Sequence, residues 1–154
     1  MASDPEDIEA WQRLDPRTTT SGKLRPEDVA KLAGIGVRHV INLAPDERPS
    51  ALAGEAELLK QAGIRYSYIP VPFDDPRGSH FDAFVAAYEG DREPVHVHCI
   101  ANYRVSAFFY RYNRDIAGMA EKDARALMER QWAPDKSEHP SMQVWARFIT
   151  QGEN

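Results

Sequence analysis

The apolar positions of this chain change period several times, and each change marks an element. In LRPEDVAKLAGIG, Leu24, Val29 and Leu32 share one side of a helix that Pro26 can open and that Gly34 and Gly36 stop. VRHVINL then reads as a strand. A loop with Pro45 and Pro49 leads to GEAELLKQAG, where Leu58 and Leu59 suit a helix closed by Gly63, and IRYSYIPV follows as a second strand. After the loop FDDPRGS, Phe81, Phe84, Val85 and Tyr88 recur at helical spacing. PVHVHC is a short strand opened by Pro94, and VSAFFYRYNRDI resumes a helix. Two amphipathic helices close the chain: EKDARALMERQW, ended by Pro134 with a charge-paired solvent face, and SMQVWARFI, with Ser141 as N-cap and Trp145, Phe148 and Ile149 on its apolar side. Near the start, TTTSG reads as a turn.

Strands alternating with helices predict an α/β fold, a mostly parallel sheet flanked by helices, with the C-terminal helices as an extra layer. At 154 residues the chain suits one domain, residues 1–154, with 1–17 as an N-terminal extension and 118–154 as the C-terminal helices. No apolar run approaches the roughly 18 residues of a membrane span, so no membrane partner is expected. The start, MASDPEDIEAWQRLDPR, is acidic where a secretory signal would be basic and then apolar, which makes the cytoplasm the expected compartment. One cysteine cannot form an internal disulfide, and a net charge of −5 argues against a general nucleic-acid surface. Any anion must therefore be held by local geometry.

Chemistry concentrates in HVHCIANYRVSAFFYRY. A lone cysteine is ordinarily a small core residue. Cys99, however, stands between a strand and a helix, where ligands bind in open parallel sheets and where backbone amides can form an anion-binding concavity. A helix N-terminus also favours a thiolate, lowering a cysteine pKa from about 8.5 to roughly 3.5–7.5. Arg104 adds a planar donor fork suited to oxyanions, and Ser106 can bring a hydroxyl near the sulfur. His96 and His98 share a side of their strand. They suit satisfied interior histidines better than metal ligands, because no third ligand stands nearby. Trp11, Trp132 and Trp145 read as packing residues.

The segment VHCIANYRVS resembles the phosphate-binding signature of the cysteine-dependent protein tyrosine and dual-specificity phosphatases, in which His-Cys is followed by five residues, then Arg and Ser or Thr. TTSGKLRPEDVAKLAGIGVRHVINLAPDE and IRYSYIPVPFDDP are similar to the N-terminal half of the small bacterial dual-specificity-like phosphatases, so the resemblance runs from about Thr18 to Tyr112. It implies a phosphatase-like fold and hydrolysis of a phosphomonoester, on a phosphorylated protein or a small molecule, with no metal or other cofactor. By the same resemblance Cys99 is the nucleophile and Cys99, Ile100, Ala101, Asn102, Tyr103, Arg104 and Val105 form the phosphate-binding loop. Asp74 or Asp75 is the general acid, Ser106 helps the sulfur leave, and His98 orients the loop from behind. Asp before Pro76 is also common in plain turns, and that alternative stays open.

The loop departs from the signature in length. Only Ile100, Ala101, Asn102 and Tyr103 separate Cys99 from Arg104, so Val105 stands where the family's arginine would be. The loop has no glycine, although Asn102 can adopt a left-handed backbone if one is required. Two alternatives follow: a pseudophosphatase that binds a phosphorylated or other anionic partner without turnover, and a rhodanese-like sulfurtransferase, whose loop has this six-residue size.

Overall fold

The structure, a computed structural model, describes residues 3–45 and 52–151. Strands β1 (Gln12–Arg13), β2 (Thr18–Ser21), β3 (His39–Asn42), β4 (Arg65–Tyr68) and β5 (Val95–His98) form one sheet in the order β1-β2-β5-β3-β4. The β1 to β2 pairing is antiparallel, and the other neighbours run parallel. The expected α/β class, a mostly parallel sheet flanked by helices, is the observed one, and Cys99 directly follows the central strand.

Six α-helices follow the periodic segments: α1 (Pro26–Gly34), α2 (Glu55–Gln61), α3 (Gly78–Glu89), α4 (Tyr103–Asp115), α5 (Glu121–Met128) and α6 (Pro140–Thr150). The pleat sends alternate residues of a strand to opposite faces. Thus Val40 joins Val29, Leu32 and Leu59 in a small aliphatic cluster with α1 and α2, whereas Ile41, Val95 and Val97 join α3, α4, α5 and α6 in a large aromatic cluster. Phe84 sits within that aromatic packing, with Phe108 and Phe109 edge-on at 5.5 and 5.1 Å between ring centroids. No described helix is long and apolar enough to cross a membrane.

Several local expectations are corrected. TTTSG is not a turn: Thr18–Ser21 is a fully buried strand paired on both sides. Its polar composition conceals this, because each hydroxyl finds a partner inside. Thr18 Oγ1 meets Tyr88 OH at 2.7 Å, Thr19 Oγ1 and Ser21 Oγ meet His96 at 2.8 Å each, and Thr20 donates to the Gln12 carbonyl at 2.9 Å. Threonine is also β-branched and stiff, which suits a strand. The cap of α6 is His139, whose ring accepts from the Ser141 amide at 3.2 Å; Pro140 then takes the first helical position and Ser141 lies inside the first turn. Helix α5 ends at Met128, and Pro134 opens a separate 3₁₀ turn, Pro134–Lys136. Helix α4 begins at Tyr103, two residues earlier than the apolar pattern indicates, so Arg104 is helical. Pro49 lies outside the described residues.

Candidate active site

From the last residue of β5 onward, the carbonyls of three successive residues are tied to outer partners. His98 O accepts from the Leu43 amide at 2.9 Å, Cys99 O faces His98 Nδ1 at 3.2 Å, and Ile100 O accepts from the Lys23 amide at 2.9 Å. A planar trans peptide points its N–H opposite to its C=O. The amides of Ile100 and Ala101 are therefore turned to the other side of the loop. Asn102 then takes a left-handed conformation, φ 66° and ψ 10°, and starts α4, whose first-turn amides have no helical carbonyl behind them. Among the described residues the amides of Ile100, Ala101, Tyr103 and Val105 meet no acceptor. The result is a concave run of donors at a helix N-terminus, which attracts anions.

Gly22 makes this arrangement possible. A Cβ there would lie 2.5 Å from the Ile100 carbonyl oxygen, so the end of β2 can approach the loop only as glycine. Asn102 is fixed from the same side, its Nδ2 donating to the Ala10 carbonyl at 2.9 Å and to Thr20 Oγ1 at 3.0 Å.

Cys99 is fully buried at the foot of the loop and borders a small cavity of about 10 Å³ lined by Lys23, Leu24, Asn42, Ala44, His98 and Ile100, among others. A second small cavity, also of about 10 Å³, lies behind the loop between β1 and α5. Cys99 does not line that one. Arg104 is also buried, with Nε donating to the Val71 carbonyl at 2.7 Å and the guanidinium carbon 5.1 Å from the centre of the Phe73 ring. Trp145 Nε1 donates to the Phe73 carbonyl at 2.6 Å. Arg104 and Trp145 thus clamp the segment that presents Asp74 and Asp75.

The two aspartates differ. Asp75 is held by Arg77 Nε at 2.8 Å and closes a turn onto Pro72 through its amide at 3.1 Å. Asp74 is exposed, with no hydrogen-bond or ion-pair partner among the described residues. Ser106 donates its hydroxyl to the Tyr103 carbonyl at 3.1 Å and lines the cavity behind the loop, so its bonded partner is not the sulfur. The Val105 side chain is fully buried in the aromatic cluster, and only its backbone can serve the loop. Tyr103 stacks on Trp132 at 4.4 Å, bringing the chain after α5 against the loop.

Sequence reasoning missed Glu55. Its carboxylate meets His98 Nε2 at 2.7 Å and is buried at the start of α2, where the helix dipole favours a negative charge. The available signal was an acidic residue in a first helical turn, which is too common to single it out. His98 therefore links Glu55 to the Cys99 carbonyl. The neighbouring His96 is held by the hydroxyls of Thr19 and Ser21 and stacks on Trp11 at 5.2 Å. Burial pushes its pKa well below 6.5, so the ring is neutral. Among the described residues no three metal-ligating side chains cluster.

A cysteine at the carboxyl end of a central parallel strand, then a donor-lined loop, then an arginine in the first helical turn is the arrangement of the protein tyrosine phosphatase-like fold. Comparison with known proteins agrees: residues 11–111 match the phosphatase-like domain of beta-lactamase hydrolase-like protein, and this chain belongs to that family. A DUF442 protein of Shewanella putrefaciens is 32% identical, with a TM-score of 0.79 over 96% of this chain and 92% of that one. P. aeruginosa TpbA, solved with pTyr, shares the fold at 18% identity, with a TM-score of 0.65 over 97% of this chain and 93% of that one. The catalytic core of an S. cerevisiae PP-IP phosphatase shares it at 17% identity, with a TM-score of 0.73 over 95% of this chain and 86% of that one. The beta-lactamase hydrolase-like proteins of two Xylella fastidiosa strains are 28% identical over 113 residues, 71% of this chain and 26% of theirs. The chain thus spans about a quarter of the length of these curated relatives.

Proposed function

We propose that this protein is a cysteine-dependent phosphatase that hydrolyses a phosphomonoester, on a phosphoprotein or a small molecule, through a phosphocysteine. The observation that carries this reading is the backbone around Cys99: outward-tied carbonyls at 98, 99 and 100 turn the amides of Ile100 and Ala101 toward the side where α4 begins. Such a cradle binds a phosphoryl group's oxygens and stabilises the charge they carry in the transition state.

In the first step the Cys99 thiolate forms an S–P bond as the P–O bond to the leaving group breaks. Asp74 gives its proton to the departing oxygen. In the second step Asp74, now a carboxylate, takes a proton from water as that water attacks phosphorus and the S–P bond breaks, releasing phosphate. A positioned acid and base of this kind contributes about 10²–10⁴ in rate. We assign the role to Asp74 because Asp75 is engaged by Arg77. Arg104 joins the two steps structurally: it lies in the loop's helix and holds Val71, three residues before Asp74.

The alternative of an anion-binding module without turnover is favoured by one observation, that Arg104 Nε is already committed to the Val71 carbonyl. Turnover of 4-nitrophenyl phosphate decides between them. The phosphatase reading requires measurable release of phosphate, abolished by Cys99→Ser and lowered about a hundredfold by Asp74→Asn, in line with loss of an acid. Binding of inorganic phosphate with no turnover would instead establish the binding module. Thiocyanate formed from thiosulfate and cyanide, without phosphatase activity, would establish a sulfurtransferase.

A further inference from the structure

The described residues contain two non-glycine residues with positive φ, Ala10 at 55° and Asn102 at 66°. A hydrogen bond joins them, from Asn102 Nδ2 to the Ala10 carbonyl. A left-handed backbone is unfavourable for alanine, whose Cβ crowds the following carbonyl, and it persists only where the surroundings impose it. Here they do. On one side Glu9 O accepts from the Gly22 amide at 2.7 Å, and on the other Trp11 stacks on His96 and donates Nε1 to Asp4 at 3.4 Å. The segment held between these contacts presents the Ala10 carbonyl to the loop.

Asn102 receives that carbonyl with a side chain only 1% exposed. Its Nδ2 spans Ala10 O and Thr20 Oγ1, while Oδ1 has no hydrogen-bond partner. The donor end therefore sets the orientation of the side chain. The left-handed turn at Asn102 makes two demands. One is a backbone that tolerates positive φ, which glycine would meet better than asparagine. The other is a fixed direction for the chain entering α4, which glycine cannot supply. A loop with four residues between Cys99 and Arg104 has little slack, so a change of direction at Asn102 moves both the amides and the arginine.

We propose that Asn102 is a positioning residue. Through its bonds to Ala10 and Thr20, the N-terminal segment 9–11 acts as a splint that holds the short loop in its anion-binding shape. The inference rests on the phosphatase reading for its kinetic consequence but not for its geometry. The segment called an N-terminal extension on sequence grounds then belongs to the working parts of the site.

Asn102→Gly separates the two demands, since it keeps the permissive backbone and removes the clip. Two readouts are taken: kcat and KM on 4-nitrophenyl phosphate, and the concentration of inorganic phosphate that half-protects Cys99 from iodoacetate. The expected result is a folded variant with kcat lowered at least tenfold, KM changed less than threefold, and half-protection needing at least threefold more phosphate. A folded variant with kcat and protection both within twofold of the parent overturns the proposal, because asparagine would then supply only its backbone. If Asn102→Gly does not fold, Thr20→Val decides, by removing one acceptor of the clip from a β-branched strand position. A threefold loss of kcat supports the proposal and an unchanged kcat overturns it. If the unmodified protein hydrolyses no aryl phosphate, the phosphatase reading fails alone. Phosphate protection of Cys99 then still decides the role of Asn102: the threefold weakening in Asn102→Gly supports it, and equal protection in parent and variant overturns it.

Discussion

The two faces of the sheet are built from different materials. One is aromatic: Phe81, Phe84, Tyr88, Phe108, Phe109, Trp145 and Phe148 pack together, with the buried Arg111 guanidinium 4.4 and 4.6 Å from the Phe81 and Phe148 ring centres. The other holds a smaller aliphatic cluster, and beside it runs a buried polar row of Thr19, Ser21, His96, His98 and Glu55. Strand β5 divides them by its pleat, Val95 and Val97 on the first side, His96 and His98 on the second. Cys99 packs with the aromatic cluster, yet its carbonyl is oriented from the polar side through His98. The difference teaches that stability and alignment are carried separately here. Apolar contacts are non-directional and tolerate small shifts, whereas a chain of hydrogen bonds fixes direction and is costly to leave incomplete.

This division can be broken by experiment, and the largest effect is expected on the aromatic face. Phe84→Ala removes a fully buried ring and should cost about 3–5 kcal/mol of stability, read from urea denaturation. The kcat of the folded fraction should stay within about twofold; a tenfold fall would mean that the aromatic face also aligns the site.

Acid should next expose the polar face. The pKa of His96 is pushed far down by burial, and that of His39 is lowered by burial and by Arg65, so near neutral pH both are uncharged in the folded chain. The unfolded chain takes up protons as pH falls through about 6.5 and the folded chain does not, so stability is complete above that pH and declines below it. One such group gives a slope of about 1.4 kcal/mol per pH unit. His96→Gln should flatten the decline between pH 6.5 and 5.5, and a slope unchanged by that substitution would remove His96 from the account.

Glu55→Gln tests alignment more narrowly. It keeps an acceptor near His98 but removes the charge, and kcat should fall about tenfold, equivalent to about 1.4 kcal/mol. A loss of stability with no loss of kcat would make the pair structural only. The smallest effect is expected at the surface: Asp75→Asn breaks an exposed pair with Arg77 and should change stability by less than about 1 kcal/mol. Turnover should stay within about twofold, in contrast to Asp74→Asn.

What could be read from sequence followed the same division. Helices α1, α3 and α6 were legible because their apolar residues recur with helical period against a single core. The parallel strands β3 and β5 were legible as short runs between turn residues. Strand β2 was not, since a row of hydroxyls looks like a turn until its partners, Tyr88, His96 and Gln12, are brought together from distant parts of the chain. At the site, Cys99 and Arg104 stand out by local spacing, and the left-handed Asn102 was anticipated from the missing glycine. Glu55, Gly22 and Ala10 were hidden for one reason. Each acts by proximity across the fold, between residues 43, 78 and 92 positions apart, and no local pattern records such a meeting.

The place of β5 has a consequence for how the chain folds. It is the last strand in sequence, but it stands in the middle of the sheet, between β2 and β3. Until residues 95–98 are available, the earlier strands can form only a hairpin of β1 with β2 and a separate pair of β3 with β4, with no ladder between them. Residues 95–98 must therefore leave the ribosome before a common sheet can close. Pairing at such separation is slow relative to helix formation, and the two unfinished halves expose open strand edges while they wait. Closure of the sheet and delivery of Cys99 to its loop are then a single event, so the cysteine and the loop that surrounds it reach their places together.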